Sequence, residues 1–244
     1  MAPYQLTIAY DGTDFCGFQR QKNRRSVQLE IENSLRNMGW SGRSILSAGR
    51  TDAGVHADGQ VIAFDLDWSH RPVDLVKALN GHLPSDISVK SAKLVSPDFN
   101  PRFDARERKY RYQVVFLPVR DPIHERYFWR VWPEPDHDLL LSSAEIVCGQ
   151  HDFKEFGRPP KPDISTVRTI YTAKWNFVDE EEAFFTITSK AFLYHMVRRI
   201  VFLLVRVGQG RIDAIELEKS FEKNGKLPTG IAPARGLFLE EVNY

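Results

Sequence analysis

The stretch Gly49-Arg50-Thr51-Asp52-Ala53-Gly54-Val55-His56 limits what this chain can be more than any other. One carboxylate, Asp52, sits between glycines and beside an arginine, a threonine and a histidine. The apolar run Gln60-Val61-Ile62-Ala63-Phe64 follows and reads as a strand. Glycines on both sides allow positive φ and a close backbone approach. A loop held at the mouth of a strand is a common place to present a reactive side chain. By itself an Asp–Gly loop is most often an ordinary turn.

Other chemistries fit the loop less well. Asp52, His56 and Asp58 are metal-ligand types, but they lack helical i, i+4 spacing and no Cys/His cluster completes a site. Ser47, Asp52 and His56 lack the Gly-x-Ser-x-Gly elbow of a nucleophilic serine. The glycine and lysine pattern of a phosphate loop is absent.

Hydrophobic periodicity sets the expected elements. Residues 4–10 alternate and predict a strand, ended by Asp11-Gly12-Thr13. Ser26 is placed to cap a helix over 27–38, closed by Gly39. Pro72 opens a second helix over 73–83, which stops before Pro84. Residues 87–94 and 109–116 read as strands. After a Pro-rich connection, 137–148 reads as a helix closed by Gly149. Strands are expected over 167–177, 183–189 and 237–242, and helices over 191–207 and 213–223. Asp179-Glu180-Glu181-Glu182 reads as a solvated hairpin tip. Mixed helices with adjacent strand pairs predict an α+β fold with largely antiparallel sheet. The expected halves are 1–104 and 105–244, with the boundary near 103–106.

Composition excludes several classes. The chain has 244 residues, 42% hydrophobic and 27% charged, as expected of a soluble globular protein. Net charge is +1, so nucleic-acid binding would need cations sorted onto one face. Cys16 and Cys148 are the 2 cysteines and form no Cys-x-x-Cys pair. With no visible secretory signal, they predict a reduced, cytoplasmic setting. Arg198, Arg199, Arg206 and His195 interrupt the most apolar stretch, which argues against a membrane span.

Further segments carry chemistry-bearing residues. They are Tyr10-Asp11-Gly12-Thr13-Asp14-Phe15-Cys16-Gly17-Phe18-Gln19, Asn100 to Tyr112, Phe192-Leu193-Tyr194-His195-Met196-Val197-Arg198 and Ala232-Pro233-Ala234-Arg235-Gly236-Leu237-Phe238-Leu239. In the second of these, Arg106, Arg108, Tyr110 and Tyr112 share one strand face, and Lys109 and Arg111 the other. Such a face can offer cations to phosphate and a ring to an unstacked base. A cross-strand aromatic is the alternative reading of Tyr110. Arg198 lies on a helix so apolar that its guanidinium needs a partner. The alternatives are a carboxylate, a backbone carbonyl, or a side chain that snorkels to water.

Together with the Asp52 loop, these segments resemble the tRNA pseudouridine synthase I family along essentially the whole chain. The resemblance implies two α+β halves joined into one central sheet, with the active cleft between them. It implies isomerisation of uridine to pseudouridine in the anticodon stem-loop of tRNA, without cofactor or metal, by a homodimer. Asp52 would be the nucleophile, Arg198 its ion-pair partner and Tyr110 the ring that packs on uracil and serves as base. Arg50 would assist base flipping, and Leu237 and His56 would contact the substrate. Arg20, Lys22, Arg24, Arg25, Arg106, Arg108, Arg158 and Lys161 are the expected RNA contacts. Phe202 departs from the family pattern, which often has glycine there. Arg199 replaces a smaller polar residue.

Overall fold

The structure is a computed structural model that describes residues 1–222 and 227–244. The end of the helix expected over 213–223 falls on Lys223, outside the described residues. In chain order the elements are β1 (Ala2–Tyr10), α1 (Val27–Asn37), β2 (Leu46–Ser47), β3 (His56–Leu66), α2 (Pro72–His82), β4 (Ile87–Leu94) and β5 (Glu107–Val115). They continue with β6 (Trp129–Arg130), α3 (His137–Ile146), β7 (Gly149–Asp152), β8 (Val167–Phe177), β9 (Glu182–Ser189), α4 (Met196–Gly208), α5 (Ala214–Ser220) and β10 (Leu237–Asn243). The fold is α+β. It divides into two compact units, Met1–Arg106 with Phe238–Tyr244, and Glu107–Leu237.

The first unit orders its strands β4-β1-β3-β10, with β2 also on β3. β1 runs antiparallel to both neighbours, whereas β10 runs parallel to β3 through Phe238 opposite His56 and Leu239 opposite Ala57. That approach is close: a side chain at Gly59 would put its Cβ 2.3 Å from the Glu240 carbonyl oxygen. Ser26 caps α1 by accepting from the Leu29 N–H, and Gly39 leaves the helix at φ 89°. Pro72 opens α2, where its missing N–H costs nothing. Leu6, Ile8, Ile31, Leu35, Ile62, Leu75 and Leu79 form the buried interior.

The second unit orders its strands β5-β9-β8-β7, all antiparallel, with β6 parallel on β5. The β8–β9 hairpin turns as expected: Asp179 Oδ1 accepts from the Glu181 and Glu182 N–H groups at 2.9 and 2.8 Å. β7 was not expected, because Gly149-Gln150-His151-Asp152 lacks β-branched and apolar residues. Pairing with β8 makes it a strand.

α4 starts later than its apolar pattern predicts. Residue 191 was the expected start, but the helix begins at Met196. Tyr194 pairs as a bridge with Arg158, and His195 takes the left-handed conformation at φ 67°. Extended pairing outcompetes the helical pattern there. From Met196 onward almost every α4 residue is buried. Phe202 fits because Gly230 lies over its ring: a Cβ at Gly230 would stand 2.5 Å from Phe202 Cζ. Gly230 also holds φ 139°, which L side chains rarely adopt. Gly230→Ala is therefore expected to destabilise the protein by about 2 kcal/mol or more, from combined strain and overpacking. Denaturant unfolding checks this by a lowered midpoint at unchanged slope.

Candidate active site

The Asp52 loop is held by segments distant in sequence. Phe18 N–H donates to the Thr51 carbonyl at 3.0 Å, and the buried Thr51 hydroxyl bonds Tyr10 OH at 2.7 Å. A register shift in β1 between Ile8 and Tyr10 lies at the base of this contact. Gln60 Nε2 donates to the Gly49 carbonyl at 2.9 Å, and Ala48 N–H to the Val61 carbonyl at 2.8 Å. Inside the loop, Val55 N–H closes on the Asp52 carbonyl at 3.2 Å, and Gly54 takes φ 76°. The last residue explains the second glycine of the motif.

Two glycines outside the motif make the fit possible. A Cβ at Gly12 would meet the Val55 carbonyl oxygen at 2.0 Å. A Cβ at Gly17 would meet the Thr51 carbonyl oxygen at 2.9 Å and the Asp52 carbonyl carbon at 3.3 Å, and Gly17 holds φ 108°. The end of the first strand at Asp11-Gly12-Thr13 gives by itself no hint of this cradle. Its signal was the glycine pair Gly12 and Gly17, each needed for contact with the loop.

His56 lies beneath the loop, 1% exposed. Its Nδ1 accepts the Gly12 N–H at 3.0 Å. Asp11 Oδ1 lies 3.1 Å from the same nitrogen and accepts the Thr13 N–H at 3.0 Å and hydroxyl at 2.5 Å. The imidazole stacks on Phe238 with centroids 4.6 Å apart. Asp52 itself is half-buried and Arg50 is exposed. The loop thus carries both residues on a fixed backbone.

The second unit holds Tyr110, Arg198 and Leu237. Burial along β5 alternates as expected, with Arg108, Tyr110 and Tyr112 on the buried face. Tyr110 is 9% exposed and meets Phe192 edge-on at 5.2 Å. Arg198 Nε donates to the Ala232 carbonyl at 2.8 Å, and Ala232 N–H donates back to the Arg198 carbonyl at 3.1 Å. Of the partners weighed for Arg198, a backbone carbonyl is thus present. The same strap, 232–237, is fixed by Tyr112 OH, which donates to the Pro233 carbonyl at 2.7 Å. Burial pushes the Tyr112 phenol well above its ordinary range, against the nearby charges of Arg198 and Arg235, so it remains a donor. Gly236 packs on the Tyr112 ring, where a Cβ would stand 2.7 Å from Cε1. Arg235 anchors the strap further, through the Phe128 carbonyl at 3.2 Å and the buried Glu125 at 3.2 Å. Leu237 follows, 6% exposed.

The expected RNA contacts divide by environment. Lys22, Arg24, Arg106, Arg158 and Lys161 are exposed. Arg20 is paired with the buried Glu32, and Arg25 with Asp86 through bonds of 2.7 and 2.9 Å. The Asp86 carboxylate holds the Arg25 guanidinium above its ordinary pKa. Arg108 is buried and donates to the Lys190 carbonyl. No helix among the described residues is long and apolar enough to cross a membrane.

Known proteins resemble this chain along its length. The chain is 38% identical over 249 residues to tRNA pseudouridine synthase A of Limosilactobacillus fermentum, covering 100% of this chain and 96% of that one. It is 39% identical over 244 residues to the protein of the same name from a Geobacillus species, covering 98% and 97%. The Fervidobacterium nodosum protein of that name is 36% identical over 241 residues, covering 98% of each. Among solved structures, a chain of a Cbf5-Nop10-Gar1 complex aligns with TM-score 0.35 and 10% identity over 82% of this chain and 54% of that one. The tRNA pseudouridine synthase family model matches residues 6–104 and 144–244. With that match and full-length relatives above 35% identity, the chain belongs to the tRNA pseudouridine synthase family of isomerases.

Proposed function

We propose that this protein converts uridine to pseudouridine in the anticodon stem-loop of tRNA, with Asp52 as nucleophile. The observation that carries the reading is the Asp52 loop, whose backbone is locked while its carboxylate stays half-exposed. The reaction breaks the N1–C1′ bond, turns the uracil and forms a C5–C1′ bond. A proton leaves C5 and N1 gains one, so the net change is an isomerisation. A fixed carboxylate suits attack at an electrophilic carbon, because the loop pre-pays the cost of orientation.

Arg198 supplies the cation that keeps a carboxylate ionised in a water-poor site. Tyr110 packs on the uracil and removes the C5 proton. Arg50, exposed on the same loop as Asp52, occupies the space left by the flipped nucleotide. Leu237 lines the uracil pocket, and His56 serves the substrate by bracing the loop from beneath. The exposed Lys22, Arg24, Arg106, Arg158 and Lys161 contact phosphates, together with Arg20 and Arg25; Arg108, buried against the Lys190 carbonyl, does not. The working form is a cytoplasmic homodimer with one tRNA across both subunits, and no cofactor takes part.

Incubation with unmodified tRNA, followed by site-resolved detection, is expected to find pseudouridine in the anticodon stem-loop alone. Sedimentation of the same sample is expected to give a dimer. Modification elsewhere in the tRNA, or in ribosomal RNA instead, would replace the substrate assignment. Tyr110→Phe retains the stacking ring but removes the hydroxyl. Its kcat is expected to fall on the order of 10²- to 10⁴-fold, the range for loss of a general base, with KM little changed. Steady-state tritium release from C5-labelled tRNA measures both.

A further inference from the structure

We infer that Tyr194, His195 and Arg158 form a separate nucleotide-binding platform, which takes one unpaired RNA nucleotide with its base on the Tyr194 ring and its phosphate at Arg158. Tyr194 is 55% exposed. Its ring lies on the His195 imidazole, with centroids 3.7 Å apart and planes inclined by 27°. His195 therefore fixes the tyrosine, and a large part of the ring remains open to solvent.

The platform is built rather than incidental. His195 holds φ 67°, a left-handed conformation that is costly for a residue with a Cβ. This conformation ends the extended pairing and starts α4 at Met196. Tyr194 and Arg158 exchange both backbone hydrogen bonds, Tyr194 N–H to the Arg158 carbonyl at 2.9 Å and Arg158 N–H to the Tyr194 carbonyl at 3.2 Å. Two bonds of this kind fix the backbones of the two exposed residues opposite each other. Gly157 makes the approach possible: a Cβ there would meet the Tyr194 carbonyl oxygen at 2.7 Å and Leu193 Cβ at 2.8 Å. Lys161, also exposed, follows three residues after Arg158.

A flat open ring beside a cation suits a nucleotide whose base is not already stacked. Every base has a π face, so the platform is tolerant of sequence and contributes affinity rather than base choice. The inference rests on the proposed action on tRNA and adds a contact outside the groups assigned to the chemistry.

The test compares wild type, Tyr194→Ala, Tyr194→Phe and Arg158→Gln on the same unmodified tRNA. Pseudouridine formation and equilibrium binding are both measured over a range of salt. Tyr194→Ala is expected to weaken tRNA binding and raise KM on the order of tenfold, within the range for loss of one stacked base. Its kcat should change far less. Tyr194→Phe keeps the ring and should recover most of the affinity. Arg158→Gln should lower the slope of log affinity against log salt by about 1, as for loss of one phosphate contact. A Tyr194→Ala protein that binds as tightly as wild type overturns the platform while leaving the proposed reaction intact. A Tyr194→Phe protein as weak as Tyr194→Ala also overturns it, since stacking would not be the source of affinity. A wild type that makes no pseudouridine on this tRNA rejects the proposed reaction itself, whatever the variants bind.

Discussion

Gly12 and Val55 approach so closely that a Cβ at Gly12 would lie 2.0 Å from the Val55 carbonyl oxygen. The same glycine donates its N–H to His56 Nδ1. These two contacts join the end of β1 to the end of the Asp52 loop. Tyr10, Phe18 and Gln60 then tie the middle and start of the loop to β1, the 10–19 segment and β3. A reactive carboxylate gains from such restraint, because its orientation is settled before substrate arrives.

The strap 232–237 plays a comparable part in the second unit. Its carbonyls at Ala232 and Pro233 take donors from Arg198 and Tyr112. Arg235 is tied to Glu125 and the Phe128 carbonyl. A segment that carries a proline and only one 3-10 turn, Ala234–Gly236, would otherwise be poorly ordered. Its order comes from buried donors rather than from a ladder. The proposed pocket residue Leu237 follows directly, so its position depends on these bonds.

Much of this was legible in the sequence. Ser26, Gly39 and Pro72 marked helix ends because caps and breakers act through local chemistry, whereas α3 stops at Ile146 and Gly149 opens β7. The motif around Asp52 identified the loop, since its residue types and order are specific. Alternation put Arg108, Tyr110 and Tyr112 on one face of β5, but that this face is buried shows only in the structure. Contacts of long sequence separation were not legible. Gly12 and Gly17 looked like turn residues, because their partners Val55 and Thr51 lie far along the chain. The start of α4 was misplaced because the apolar pattern runs unbroken through Leu193. Only the pairing of Tyr194 with Arg158 shows why the helix waits. β7 was invisible for a similar reason, as its strand character comes from β8 alone.

The central claim is that the Asp52 carboxylate performs the chemistry, beyond helping to hold RNA. Asp52→Asn preserves size and most hydrogen bonding but removes the charge. The decisive measurement is tritium release from C5-labelled uridine in tRNA, made alongside tRNA binding by the same variant. Binding close to wild type with turnover lost is the expected result. Turnover at the wild-type rate would show that another group attacks and that the loop serves some other purpose.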